Sequence, residues 1–347
     1  MSFNRGLRGQ QGVKDAMRRR NSEYANSAEG TDGADRGRQA DTPNQIPAKG
    51  LRDVFWRVAE SIIADRVTLI AAGVTYFLLL SLFPALAALV ALYGFIADPT
   101  SIMGHISFLA RVFPPGSFDL ILNQLTTLTQ QKPAALSLAF VGGLGVALWS
   151  ANSGMKALFD AMNVAYQEEE KRSFLWLNLL SLMFTLGALF IAIALVTAIG
   201  VLPALLAYFW LDHWQELLAR FARWPFILVF IGCGIAAIYR YGPSRERAKL
   251  TWLSWGVVFS TLLWLAASIL FSFYLENFAN YNATYGALGA LIGLMVWVWI
   301  SVIILIVGAE LNAELEHQTL RDSTTGSPLP MGDRGAFVAD TVGKTSD

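Results

Sequence analysis

The stretch Tyr285-Gly286-Ala287-Leu288-Gly289-Ala290-Leu291-Ile292-Gly293-Leu294-Met295-Val296-Trp297-Val298-Trp299-Ile300-Ser301, running on through Val307 and closing in Gly308-Ala309-Glu310-Leu311-Asn312, decides the fold. Residues 277 to 309 carry no formal charge. A helix rises about 1.5 Å per residue, so about 20 apolar residues cross a hydrocarbon core of about 30 Å. The stretch is long enough, and it lacks the polar alternation of a barrel strand. Gly286, Gly289, Ala290 and Gly293 recur at spacings of three and four, the small-residue pattern that lets two helix backbones approach closely. This face predicts tight packing against a neighbouring helix in its outer half.

The rest of the chain reads the same way. Hydrophobic residues make up 54% of the 347 and charged ones 15%, too apolar a balance for an ordinary soluble domain. Five further apolar stretches precede the last one, so the fold class is all-α, a polytopic membrane protein of six transmembrane helices. The spans are placed at about 68–96, 134–151, 179–202, 224–240, 252–274 and 285–309. Residues 51–66 alternate Val54, Phe55, Val58, Ile62 and Ile63 with Arg52, Asp53, Arg57, Glu60 and Asp65, which predicts an interfacial amphipathic helix ahead of the first span. Phe118 to Leu128 predicts a second, short one on the outer surface. Residues 1–50 and 318–347 are polar, and both read as disordered cytoplasmic tails flanking a membrane domain at 51–317. The basic cluster Arg5, Arg8, Lys14, Arg18, Arg19 and Arg20 suits a solvated tail, with anionic lipid headgroups or RNA as the alternative ligands.

Lys and Arg fix the expected orientation. Segments on the N-terminal side of the predicted membrane hold 22 of them and those opposite hold 4. By the positive-inside rule both ends are expected in the cytoplasm, and an even number of spans agrees by returning the chain to its starting side.

Four pieces of sequence then resemble a known family. They are Ala71-Ala72-Gly73-Val74-Thr75-Tyr76 with Ser81-Leu82-Phe83-Pro84; Leu148-Trp149-Ser150 with Ala157-Leu158-Phe159-Asp160-Ala161-Met162-Asn163; Tyr239-Arg240-Tyr241-Gly242-Pro243; and Tyr274-Leu275-Glu276-Asn277-Phe278 through Ala283-Thr284-Tyr285-Gly286 to Gly308-Ala309-Glu310-Leu311-Asn312. Together they resemble the YihY/virulence factor BrkB family over about residues 52 to 317. The resemblance implies a six-helix protein of the bacterial inner membrane. An older family label, ribonuclease BN, implies phosphodiester hydrolysis. That chemistry needs metal-binding His/Asp clusters, paired carboxylates or a His pair. The three histidines, His105, His213 and His317, fall in different connections, and no metal-like spacing joins the acids, so no catalytic residue, metal or cofactor is expected, nor a nucleic-acid partner.

For transport, depth is what matters, because ionisable groups inside a bilayer are costly and mark ion or proton paths. The predicted midplane holds none, only Thr75, Tyr76, Ser81, Thr185, Ser260, Thr261 and Pro84. Pro84 should kink the first span and free the carbonyl of Leu80. This pattern argues against a proton relay at the midplane and leaves a path for amphiphiles, with headgroups near a polar rim of Asn152, Lys156, Asp160, Glu276, Tyr285, Glu310 and Asn312. Each rim residue has a plainer reading. Glu310 and Asn312 mark where a helix leaves the membrane, Glu276 caps a turn, Lys156 and Asp160 form a solvated pair, and Thr75 and Ser81 bond their own helix. Membrane lipids are the expected partners, with a second copy or another envelope protein as further candidates. The competing function is a non-transporting envelope scaffold that binds through the glycine face and the tails.

Overall fold

The computed structural model describes residues 33, 35–96, 133–188, 190–191, 213–277 and 288–346. Among these the chain is helical and contains no strand; an isolated antiparallel bridge joins Ala248 to Thr324. After a 3-10 turn at Pro43–Gln45 come α1 (Ala48–Ala64), α2 (Val67–Ile96), α3 (Pro133–Ala165), α4 (Phe174–Ala188), α5 (His213–Tyr241), α6 (Leu250–Asn277), α7 (Leu288–Glu316) and α8 (Phe337–Asp340). Helices α6 and α7 are each long and apolar enough to cross a membrane, and α1 with the start of α2 forms a third candidate that is bent by 59°. Of the other predicted spans, 134–151 and 224–240 fall within α3 and α5, and 179–202 begins in α4 and runs on into residues outside those described.

Helix α7 is central. It packs along α6 and also touches α1, α2, α3 and α8, while α2 pairs most extensively with α3. The shared core is built from Val67, Ala71 and Val74 of α2, Phe159 and Met162 of α3, and Ile306, Ala309 and Ala313 of α7. Large apolar side chains also face outward. On α6 these include Leu262, Ile269 and Leu270, and only 17% of its most apolar window is buried. A helix apolar on its exposed sides is suited to lipid, where helices associate through close packing and hydrogen bonds instead of apolar burial.

That close packing is visible where α6 crosses α7. Gly256 lies against Gly308, its backbone N–H donates to Asn312 Oδ1 at 2.8 Å, and a Cβ built on Gly256 would overlap the Gly308 carbonyl oxygen. Beside them the Tyr239 hydroxyl lies 2.7 Å from Ser260 Oγ and donates to the Leu305 carbonyl at 2.8 Å. The glycine face expected in the outer half is represented by Gly289, which is buried, and Gly293, whose nearest neighbour is Leu275 of α6.

One expectation is corrected and one feature was not foreseen. Helix α2 is continuous from Val67 to Ile96, and a sharp bend falls between α1 and α2. There Arg66 adopts φ +52°, a left-handed conformation that ends a right-handed helix whatever the hydrophobic pattern. Residues 318–346 are packed, not disordered, and so are residues 35–50. Buried cations hold these polar segments through backbone oxygens: Arg38 donates to the carbonyls of Gln318 (3.3 Å) and Gly343 (2.7 Å), and Arg334 to those of Leu320 (2.8 Å) and Ala339 (2.7 Å). Low hydrophobicity does not disclose such bonds. Asp53, placed by periodicity on the solvated face of α1, is only 1% exposed and pairs with Arg36 at 2.8 Å and with Ser346 Oγ at 2.7 Å.

The α6–α7 contact gives a test in which intrinsic helix propensity and packing have opposite signs. Ala is favoured over Gly in a helix interior by about 1 kcal/mol, whereas overpacking costs about 1–3 kcal/mol. Gly256→Ala is expected to lower the melting temperature of the detergent-solubilised protein. Gly73→Ala, where the added Cβ meets nothing within 4 Å, is expected to leave it unchanged or raise it.

Candidate functional site

The C-terminal end of α7 carries Glu310, Asn312, Glu314 and Glu316, and all four are buried. Charges in that position need partners, because desolvating an ion costs several kcal/mol. Arg245, from the loop between α5 and α6, reaches Glu316 at 2.7 Å; the two side chains are 2% and 0% exposed. Its guanidinium also lies 5.0 Å from the centre of the Tyr166 ring, and Ser323 Oγ donates to Glu316 at 2.8 Å. Arg57 of α1 pairs with Glu314 and donates to the carbonyl of Lys344 at 2.8 Å and to Gln318 Oε1 at 2.9 Å. Through these contacts one helix end gathers α1, the α5–α6 loop and the C-terminal segment.

A second polar junction brings distant motifs together. Asn163, at the end of α3, accepts from the Ser244 N–H at 2.7 Å and donates to Glu170 at 3.1 Å. Arg172 binds Glu170 through two nitrogens and donates to the carbonyls of Tyr241 (3.1 Å) and Gly242 (2.8 Å). Burial raises the Glu170 carboxyl, but hydrogen bonds from Arg172 and Asn163 outweigh it and bring the pKa down to about 2. Two of the quoted sequence motifs therefore meet in space as one structural knot.

The third feature lies between α3 and α4 and is partly open. Asn152 Nδ2 donates to Asn178 Oδ1 at 3.2 Å, Lys156 Nζ donates to the same oxygen at 3.0 Å, and Ser181 Oγ donates to Asn152 Oδ1. Lys156 thus turns to α4 instead of pairing with Asp160, which is exposed. Around this strip Trp149, Phe174, Leu175, Trp176 and Leu179 stand exposed, Trp149 by 76%. A cation whose hydrogen-bond partner is neutral, set among exposed aromatic and aliphatic side chains, matches the chemistry of the headgroup level of a bilayer.

The predicted rim is therefore divided. Asn152 and Lys156 share one cluster, whereas Glu310 and Asn312 are inside the bundle and form no open rim with them. Thr75 and Ser81 bond carbonyls of their own helix, those of Ala71 and Leu78, both at 2.7 Å, and Tyr76 is exposed. Tyr285 and Gly286, and the side chains of Pro84, Glu276 and Ala290, lie outside the described residues. Sequence reasoning missed Asn178, Ser181, Arg245 and Glu316; a polar pair at spacing three inside an otherwise apolar helix start, Asn178 and Ser181, was the available signal for the first two. His317 contacts Glu314 and Thr341, and among the described residues no three His, Cys, Asp or Glu side chains are grouped as a metal site.

Comparison with known proteins gives consistent matches. The model of the family described as Virulence factor BrkB matches residues 58–329. The ribonuclease-like protein YfkH of Bacillus subtilis (strain 168) is 35% identical over 256 residues, covering 72% of this chain and 90% of that protein. UPF0761 membrane protein IL2447 of Idiomarina loihiensis is 28% identical over 217 residues, 61% of this chain and 69% of its own length. UPF0761 membrane protein PBPRA3489 of Photobacterium profundum is 25% identical over 275 residues, 78% and 82% of the two chains. No solved structure matches.

The Arg245–Glu316 pair supplies a stability test. Removing one partner leaves a buried charge without compensation, a loss of about 3–5 kcal/mol. Arg245→Met is expected to destabilise by that order in denaturant titrations of the solubilised protein. Arg245→Met with Glu316→Leu is expected to recover most of the loss.

Proposed function

Because the chain belongs to the virulence factor BrkB family, we propose that it is a six-span protein of the bacterial inner membrane, with both ends in the cytoplasm, that accommodates and moves an amphiphilic, lipid-like substrate. The observation that carries this reading is the strip Asn152–Lys156–Asn178–Ser181, polar and half-open, beside exposed Trp149, Phe174 and Trp176. A phosphate-bearing headgroup finds there an ammonium and amide donors, and its acyl chains find an apolar helix surface. The separation of Lys and Arg across the predicted membrane, 22 against 4, supports the orientation. The charge-free predicted midplane supports an amphiphile over a small ion.

A non-transporting scaffold fits less well. Gly289 is buried and Gly293 faces α6 within the same chain, and the C-terminal segment is engaged by Arg38 and Arg57. Among the described residues, these parts of the glycine face and of the C-terminal segment are engaged within the chain. Hydrolysis is no part of the reading: "ribonuclease-like" belongs to the name of one relative, and the relatives of the UPF0761 group are named only as membrane proteins.

Reconstitution of the full chain in liposomes bearing fluorescent phospholipids of several headgroup classes tests the proposal. The expected result is that inner-leaflet label becomes reachable by an impermeant quencher. Lys156→Gln should slow anionic lipids about tenfold relative to zwitterionic ones, the equivalent of about 1.4 kcal/mol for one charge-assisted contact. Failure of every lipid class to move, with or without an ion gradient, overturns it.

A further inference from the structure

The bend between α1 and α2 carries a contact that none of the roles above uses. Asp65 caps the C-terminus of α1, its N–H bonded to the carbonyls of Ser61 and Ile63, and Arg66 follows in the left-handed region. The Asp65 carboxyl lies within hydrogen-bond reach of the Glu310 carboxyl of α7. Glu310 is 2% exposed, and its Oε1 has no donor among the described residues.

The surroundings do not neutralise the pair. Glu314, one turn on along α7, adds a like charge, and the donors of Arg57 are directed to Glu314, Gln318 and Lys344. His317 faces Glu314 at 3.6 Å and Thr341 at 3.0 Å. The elements packed against this part of α7 present uncharged groups, Gly256 and Ser260 from α6 and Phe159 and Met162 from α3, followed by the Tyr166 hydroxyl. With Glu310 buried and Asp65 half-buried beside it, contact between the two carboxyls disfavours ionisation of both, and neither can donate to the other unless one holds a proton. The described residues also complete no metal-binding set there.

We propose that Asp65 and Glu310 form a proton-binding site, with a single proton held between the two carboxyls, and that this proton latches the α1–α2 elbow to the inner end of α7. Loss of the proton as pH rises sets two like charges against each other at the elbow. Contact between the carboxyls is then repulsive, and α1 swings on the Asp65–Arg66 hinge relative to α7. The site lies at the end of α7, away from the midplane, and stands whether or not the chain moves a lipid.

Infrared spectroscopy of the full chain in nanodiscs tests the site directly. A protonated-carboxyl stretch is expected at neutral pH, lost in Glu310→Gln and equally in Asp65→Asn, because each new amide donates to the remaining carboxylate. Spin labels at Phe55→Cys and Met295→Cys, both exposed positions, report the elbow once Cys233 is replaced by Ser. Their separation should shift as pH is raised in the otherwise native chain and stay constant in Glu310→Gln. Absence of the stretch at every pH above the ordinary carboxylate range, its persistence in both variants, or its appearance only when sodium is withdrawn, which would mark a bound cation instead, overturns the proposal.

Discussion

The burial of four polar residues, Glu310, Asn312, Glu314 and Glu316, at the end of an otherwise apolar helix is the constraint from which the rest of this architecture follows. An unpaired carboxylate is too costly to leave there, so each must find a donor, a counter-ion or a proton. Arg57 commits α1, Arg245 commits the loop after α5, the Gly256 N–H commits α6, and Asp65 commits the elbow before α2. These bonds are directional. They orient elements whose outward faces are apolar and which lipid would otherwise let slide past one another.

Packing reinforces the same convergence. Gly256 and Gly308 remove side chains where α6 meets α7, which allows Tyr239 and Ser260 to reach the carbonyls of Leu305 and Ile304. Away from that contact the structure loosens toward α3 and α4, where Lys156, Asn152 and Asn178 are only half-buried. The contrast between a buried hub and a partly open strip explains why a ligand is assigned to the strip. The hub is left the tasks of holding the helices and, through Asp65 and Glu310, of binding a proton.

Much of the helical content is legible in the residues themselves, since α6 and α7 follow from charge-free runs of the required length. The interfacial character of α1 is legible too, but periodicity assigns Asp53 and Asp65 to a solvated face, whereas their partners, Ser346, Arg36 and Glu310, are remote in sequence or belong to another segment. Nothing local distinguishes a glutamate that leaves the membrane from one that turns into the core, and Glu310 is of the second kind. Polarity likewise predicts a solvated C-terminal tail, while the carbonyls of Gln318 and Gly343 are needed by buried Arg38. Asn163 and Arg172 show the same limit, because the pairing of their loop with Tyr241 and Gly242 is a property of tertiary structure alone.

Hydrogen–deuterium exchange of the full chain in lipid nanodiscs measures this convergence most directly. If buried polar contacts organise the molecule, the amides of Leu320 and Gly343, which bond Arg38 and His317, exchange nearly as slowly as those of α7 itself. Exchange of residues 318–346 at the rate of an unstructured peptide, beside a protected α7, would contradict the account.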